Sequence, residues 1–163
     1  MSPTLDSAMT HKLDMVDLPD EAATERLGEQ LAATLRPGDF VALDGDLGAG
    51  KTTFVRGLAR GLGIDPGCVT SPTFVTMQSY AYAGGALVHV DAWRIENLQL
   101  LESLGWDELL TARDSIVIVE WASRIESALP AARLHIRLSF GAQNAGRRAE
   151  VSDSRVSSSA PLG

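Results

Sequence analysis

The sequence predicts an α/β fold with a mixed parallel and antiparallel central sheet, and three observations carry that prediction. Phe40 to Leu43 is a short apolar run followed by a glycine-rich loop and then a helical pattern, so strand, loop and helix follow in that order. Phe74 to Tyr82 and Ala86 to Val90 are extended stretches separated only by Ala83, Gly84 and Gly85, a gap too short for a parallel crossover, which requires an antiparallel hairpin. Ile116 to Val119 is apolar at every position, as expected of a strand buried on both faces at the centre of a sheet.

The elements follow along the chain. Residues 1–18 lack periodicity and read as a flexible N-terminal extension before a domain spanning 19–152. Asp20 can cap a first helix, Glu21 sits in its positive first turn, and Ala23, Leu27, Leu31 and Leu35 make one apolar stripe before Pro37 and Gly38 stop it. On the helix after the glycine loop, Phe54, Val55, Leu58, Ala59 and Leu62 share a face, and Gly61 and Gly63 mark its end. Leu98 to Leu110 reads as helix interrupted at Gly105. Leu134 to Phe140 alternates as a strand, and after the turn Gly141 to Gly146 the segment Arg147 to Val151 returns antiparallel to it. The serine-rich residues 153–163 read as a disordered tail.

Composition excludes several classes. With 163 residues, 45% of them hydrophobic, one core is expected. No run is long enough to span a bilayer and residues 1–18 contain no signal-type apolar stretch, so a cytoplasmic protein without membrane partners is expected. The single cysteine, Cys68, has no internal disulfide partner, and three scattered histidines offer no zinc-ligand spacing. A net charge of -7 argues against unaided binding of a phosphate backbone.

Gly45-Asp46-Leu47-Gly48-Ala49-Gly50-Lys51-Thr52 matches G-x-x-x-x-G-K-[ST] in full, and Thr53 follows it. Glycines allow the backbone to turn consecutive N–H groups toward phosphate oxygens, and the following helix adds the positive end of its dipole. Lys51 would reach the β- and γ-phosphates, and the Thr52 hydroxyl would ligate Mg²⁺. Asp46 is the awkward member, since a carboxylate beside a triphosphate repels it unless it points away or pairs with a cation.

Hydrolysis needs an acid at a strand end as well, and two candidates follow apolar strands: Asp91 after Leu87-Val88-His89-Val90, and Glu120 after Ile116 to Val119. The second strand has the character of a Walker B strand. Thr70-Ser71-Pro72-Thr73 reads either as a switch segment over the γ-phosphate or as an ordinary turn. Trp121 reads either as a base-stacking side chain or as core packing. His89 reads as a strand residue facing the other side of the sheet. Neither N-K-x-D nor D-x-x-G is present, so adenine is the expected base.

With these pieces placed, the chain resembles the bacterial TsaE (YjeE) family, the ATPase of tRNA threonylcarbamoyladenosine biosynthesis. The likeness rests on the Gly45 to Thr53 loop, on Thr70-Ser71-Pro72-Thr73, on His89-Val90-Asp91-Ala92-Trp93-Arg94 and on Val119-Glu120-Trp121, within residues 18–151. It implies a three-layer P-loop NTPase fold, ATP and Mg²⁺ as cofactors, and hydrolysis that resets a partner threonylcarbamoyl-transferase complex of TsaD and TsaB-like subunits. Those partners, rather than this acidic chain, would grip the tRNA. By the same likeness Lys51 holds the phosphates, Thr52 and Glu120 hold Mg²⁺, and Asp91 occupies a switch position needed for activity. Thr24 and Gly146 would lie near adenine and ribose, with Trp121 and Ala122 also in the nucleotide site. Trp93 stands where the family usually has tyrosine, and Ala122 where it often has proline.

Two other classes share the loop. A small-molecule P-loop kinase would add arginines from a lid, whereas Arg56 and Arg60 fall on the helix after the loop. A nucleotide-sensing regulator would bind without hydrolysing.

Overall fold

The computed structural model describes residues 12–70 and 76–155. In chain order the elements are β1 (Lys12–Leu18), α1 (Glu21–Ala32), β2 (Phe40–Gly45), α2 (Lys51–Gly61), β3 (Met77–Tyr82), β4 (Gly85–Asp91), α3 (Leu98–Ser103), α4 (Trp106–Thr111), β5 (Ser115–Glu120), β6 (Leu134–Phe140) and β7 (Arg147–Asp153). Short 3₁₀ segments occupy Pro66–Cys68, Ala122–Ala128 and Ala142–Asn144.

The strands form one sheet in the order β1-β7-β6-β2-β5-β4-β3. Its centre is parallel, with β5 flanked by β2 and β4 and with β6 on the other side of β2. The β3–β4, β6–β7 and β1–β7 pairs are antiparallel. The wholly apolar run predicted central is β5, and all six of its residues are buried.

Alternation along the strands divides the core into two layers. Val41, Leu43, Ile116 and Ile118 face α1 and α2, meeting Phe54 and Leu58. Phe40, Val117 and Val119 face the other way, toward Leu101 of α3, Trp106 of α4 and Ile125. Helices therefore cover both faces of β2, β5 and β4, giving three layers. The α1 and α2 backbones meet at close range. A Cβ added at Gly57 would stand 2.0 Å from the Glu25 carbonyl oxygen, so α2 docks on α1 only because that position lacks a side chain.

Three expectations are corrected. Lys12–Leu18, read as part of a flexible extension, is a strand whose seven residues all pair with β7. Its alternation was hidden because the inward positions are Asp14, Val16 and Leu18, while apolar Leu13 and Met15 face outward. The first helix ends at Ala32 rather than at Pro37. Thr34 turns its hydroxyl back to the Leu31 carbonyl at 2.8 Å, and Leu35 reaches the core from the turn that follows. Asp153 and Ser154, read as the start of the serine-rich tail, are placed: Asp153 ends β7, and the amide and hydroxyl of Ser154 both donate to the Arg133 carbonyl. The predicted break at Gly105 does separate α3 from α4. The hairpin is antiparallel as expected, and residues 74–75 of its first predicted strand lie outside the described residues.

Candidate functional site

The chain leaves β2 and enters the glycine loop at Gly45, whose φ is +154° and whose missing Cβ would lie 2.6 Å from the Leu138 carbonyl oxygen. The loop must pass this close to β6, and only glycine permits it. Gly50, at φ +101°, then starts α2 without any side-chain cap. α1 provides the contrast, because the Asp20 carboxylate accepts from the Ala23 N–H at 2.7 Å. An uncapped helix start presents its first N–H groups and the positive end of its dipole to whatever enters the cleft.

Lys51 lies at the floor of that cleft, only 6% exposed. Its ammonium donates to the Gly45 carbonyl at 2.6 Å and the Asp46 carbonyl at 3.0 Å, and stands 4.0 Å from the centre of the Trp121 ring. Burial pushes the Lys51 amine below its ordinary 10.5, while Glu120, Asp91, Asp46 and Asp44 pull the other way. The Asp46 side chain is exposed, so the acid that was awkward in the loop turns outward and only its main chain enters the lysine contact.

Register brings the two candidate acids together. Asp91 on β4 is directly opposite Glu120 on β5, at the ends of neighbouring parallel strands. Glu120 is 3% exposed, and its Oε1 accepts from the Thr52 hydroxyl at 3.4 Å and lies 2.8 Å from His89 Nε2. Burial raises the Asp91 carboxyl above its ordinary 3.8, and the Glu120 charge adds to that. The Trp93 N–H, donating at 2.9 Å, works against it, as does the Lys51 charge. Threonine and carboxylate oxygens grouped at a helix start suit a hard divalent cation.

A cleft of about 480 Å³ runs over these groups, lined among others by Lys51, Thr52, Asp91, Glu120 and Trp121. A smaller hollow of about 200 Å³ adjoins it through Gly48, Gly50 and Thr53 and contains both Thr24 and Gly146. Residues far apart in the chain thus meet at one rim. Arg147 closes that rim by donating to the Gly48 carbonyl through Nη2 at 3.1 Å while its guanidinium lies 4.3 Å from the Phe140 ring centre. Leu47, at the tip of the loop, is exposed, whereas Ala49 is buried beneath it.

One expected site residue stands differently. Ala122 is 1% exposed and packs in the core under the cleft, so it offers the cleft no surface of its own. His89 faces the side opposite to Val88 and Val90, as its alternation predicts, and the sequence did not show that this side also holds Glu120, to which the fully buried imidazole is bonded. Of the two readings of Trp121, neither is complete. The residue adopts a left-handed φ of +58°, packs against Trp93 with ring centres 4.4 Å apart, and lines the cleft. Of the hydroxyl cluster, Ser71, Pro72 and Thr73 lie outside the described residues.

A glycine loop joining a parallel strand to a helix, facing an acid on the neighbouring strand, defines a protein of the P-loop NTPase fold class. The structure is similar to the crystal structure of Bacillus subtilis YdiB, with a TM-score of 0.71 and 32% identity over 89% of this chain and 88% of that one. Residues 18–149 match the family model described as threonylcarbamoyl adenosine biosynthesis protein TsaE, and the chain belongs to that family. Among its relatives, the tRNA threonylcarbamoyladenosine biosynthesis protein TsaE of Streptomyces coelicolor is 47% identical over 115 residues, 69% of this chain and 76% of the relative. The protein of the same name from Nostoc is 34% identical over 152 residues, 91% of each chain. No helix among the described residues is long and apolar enough to cross a membrane.

Proposed function

We propose that this chain is a Mg²⁺-dependent ATP-binding protein and weak ATPase, stimulated by its partners. Within tRNA threonylcarbamoyladenosine biosynthesis, the role of its family, its hydrolysis resets a threonylcarbamoyl-transferase complex of TsaD and TsaB-like subunits. One observation carries the reading: Thr52 at the start of α2 and Glu120 at the end of β5 converge to 3.4 Å beside a lysine whose hydrogen bonds, among the described residues, go to carbonyls of its own loop. An ammonium held by neutral carbonyls exchanges them readily for phosphate oxygens, because charge-assisted bonds are stronger. The free amides of α2 complete the cradle.

Each residue then has a task. Lys51 would exchange the loop carbonyls for the terminal phosphates, and Thr52 and Glu120 would hold the cation. Glu120 would also orient water, with Asp91 across the strand pair as the switch group. Bound Mg²⁺ would supply charge neutralisation on the phosphates. The net charge of -7 supports contact with tRNA through the partners alone.

The test is ATP turnover with and without the partner subunits, for the parent, Lys51→Ala and Glu120→Ala. Partner stimulation is expected in the parent, and both substitutions should lower turnover by at least about a hundredfold. Calorimetry with magnesium that finds the parent no better a binder of ATP than Lys51→Ala would end the reading.

A further inference from the structure

One buried polar side chain below the cleft is left over by the loop, the metal ligands and the switch acid. His89 sits on β4 between Leu87 and Asp91 on the sheet face that α2 covers, and it is opposite Ile118 in the register. It is 0% exposed, and its neighbours on that face, Leu87 and Ile118, are fully buried and apolar. An aliphatic residue would fill the same place at no polar cost. The imidazole instead leaves Nδ1 buried without a hydrogen-bond partner among the described residues, and a buried polar atom left unpaired is destabilising. What the ring gains is a single contact, Nε2 at 2.8 Å from Oε1 of Glu120.

The chemistry of that contact sets its direction. An ionised carboxylate can only accept, so Nε2 carries the proton and donates it, and in the neutral ring the lone pair falls on Nδ1. Oε1 is also the atom to which Thr52 donates, at the longer distance of 3.4 Å. Should the Thr52 hydroxyl turn away to a cation, the imidazole remains the hydrogen-bond donor to Oε1. With one oxygen pinned from below, rotation of the carboxylate is stopped and its second oxygen keeps one direction. Partners behind a metal-ligating side chain act in this way.

Resting on the ATPase reading above, we propose that His89 is a positioning residue: its Nε2–H holds Glu120 Oε1 from beneath the sheet and fixes the orientation in which that carboxylate serves metal and water. His89 does not line the cleft, so its loss should be felt in the rate of hydrolysis and little in nucleotide affinity.

Two measurements test this on the full-length protein. Side-chain ¹⁵N NMR of the nucleotide-free parent should show His89 as a single tautomer protonated at Nε2, and Glu120→Ala should abolish that signature. Partner-stimulated turnover should fall about tenfold to a hundredfold in His89→Leu, with the affinity for Mg-ATP within about threefold of the parent. His89→Gln, which restores an N–H donor on a side chain of similar reach, should recover most of the lost rate. The proposal is overturned if the leucine variant matches the parent, if glutamine is no better than leucine, or if the NMR places the proton on Nδ1. A parent without any turnover removes the ATPase reading itself and the role with it; an active parent matched by His89→Leu removes only the role assigned to His89.

Discussion

The two halves of the sheet are built to different standards. Strands β4, β5 and β2 are covered on both faces, by α1 and α2 on one side and by α3, α4 and the Ala122–Ala128 turn on the other. Among the described residues, strands β6, β7 and β1 are covered on one face only, so that β6 alternates buried and exposed residues while every residue of β5 is buried. Lys51, Thr52, Asp91 and Glu120, with His89 beneath them, all belong to the covered half or to the helix that springs from it. The one-sided half adds Leu18, Gly146 and Arg147 at the rim. The difference teaches where exact geometry is affordable. A carboxylate and an imidazole can be held in a fixed relation when rigid packing surrounds them on all sides, and a sheet open to water on one face cannot enclose them.

The sharpest way to break this comparison is to cut one side chain from each half. Ile118→Ala empties a site on β5 with no exposure at all and should cost about 2–5 kcal/mol in urea-unfolding stability. Arg137→Ala, on the exposed side of β6, should stay within about 0.5 kcal/mol of the parent. Equal losses would mean that the two halves are not packed differently.

A second, smaller effect tests the joint between the halves. Asp44 at the end of β2 accepts from the Ser123 N–H at 2.9 Å and lies 3.0 Å from His135 Nε2 on β6, tying the covered half to the open one just before the glycine loop. Burial opposes its charge, but the hydrogen bonds from His135 and Ser123 outweigh it and hold the carboxyl below its ordinary 3.8. The ionised form is therefore favoured by folding. The stability it contributes is present above pH 3.8 and is lost as pH falls through the lower native value. Asp44→Asn should be about 1–2 kcal/mol less stable than the parent at pH 7, and the gap should close on acidification below pH 3.8. A gap that persists unchanged at pH 2 would assign the loss to packing rather than to charge.

What was legible in the sequence follows from how local each feature is. The glycine loop, its lysine and threonine, and the fully apolar β5 ending in Glu120 are contiguous stretches, so spacing alone exposes them. The bond between His89 and Glu120 needs the register of β4 against β5, which no single stretch encodes; the alternation of Val88, His89 and Val90 gives the face His89 takes but not its partner. Thr24 and Gly146 meet across more than a hundred residues, and the likeness to a known family supplied them where periodicity did not. Gly57 left a weak signal, a glycine four residues before Gly61 inside a helix. Its purpose emerges only once α1 is seen lying against it. Strand β1 was missed because the pattern that identifies a half-buried strand is inverted there: Asp14 turns inward and Met15 outward.

That inversion sets up the smallest effect. Met15 is 52% exposed on the open face, with Glu150 beside it in the register. β1 is held by main-chain pairing along its whole length and by Val16 and Leu18 on the covered face, and neither depends on the methionine. Met15→Ser should therefore change urea stability by no more than about 0.5 kcal/mol, in line with substitutions at exposed positions. A loss well above about 1 kcal/mol would show that the outer face of β1, β7 and β6 is covered in solution. The contrast between a two-sided and a one-sided half would then describe the chain alone and not its working state.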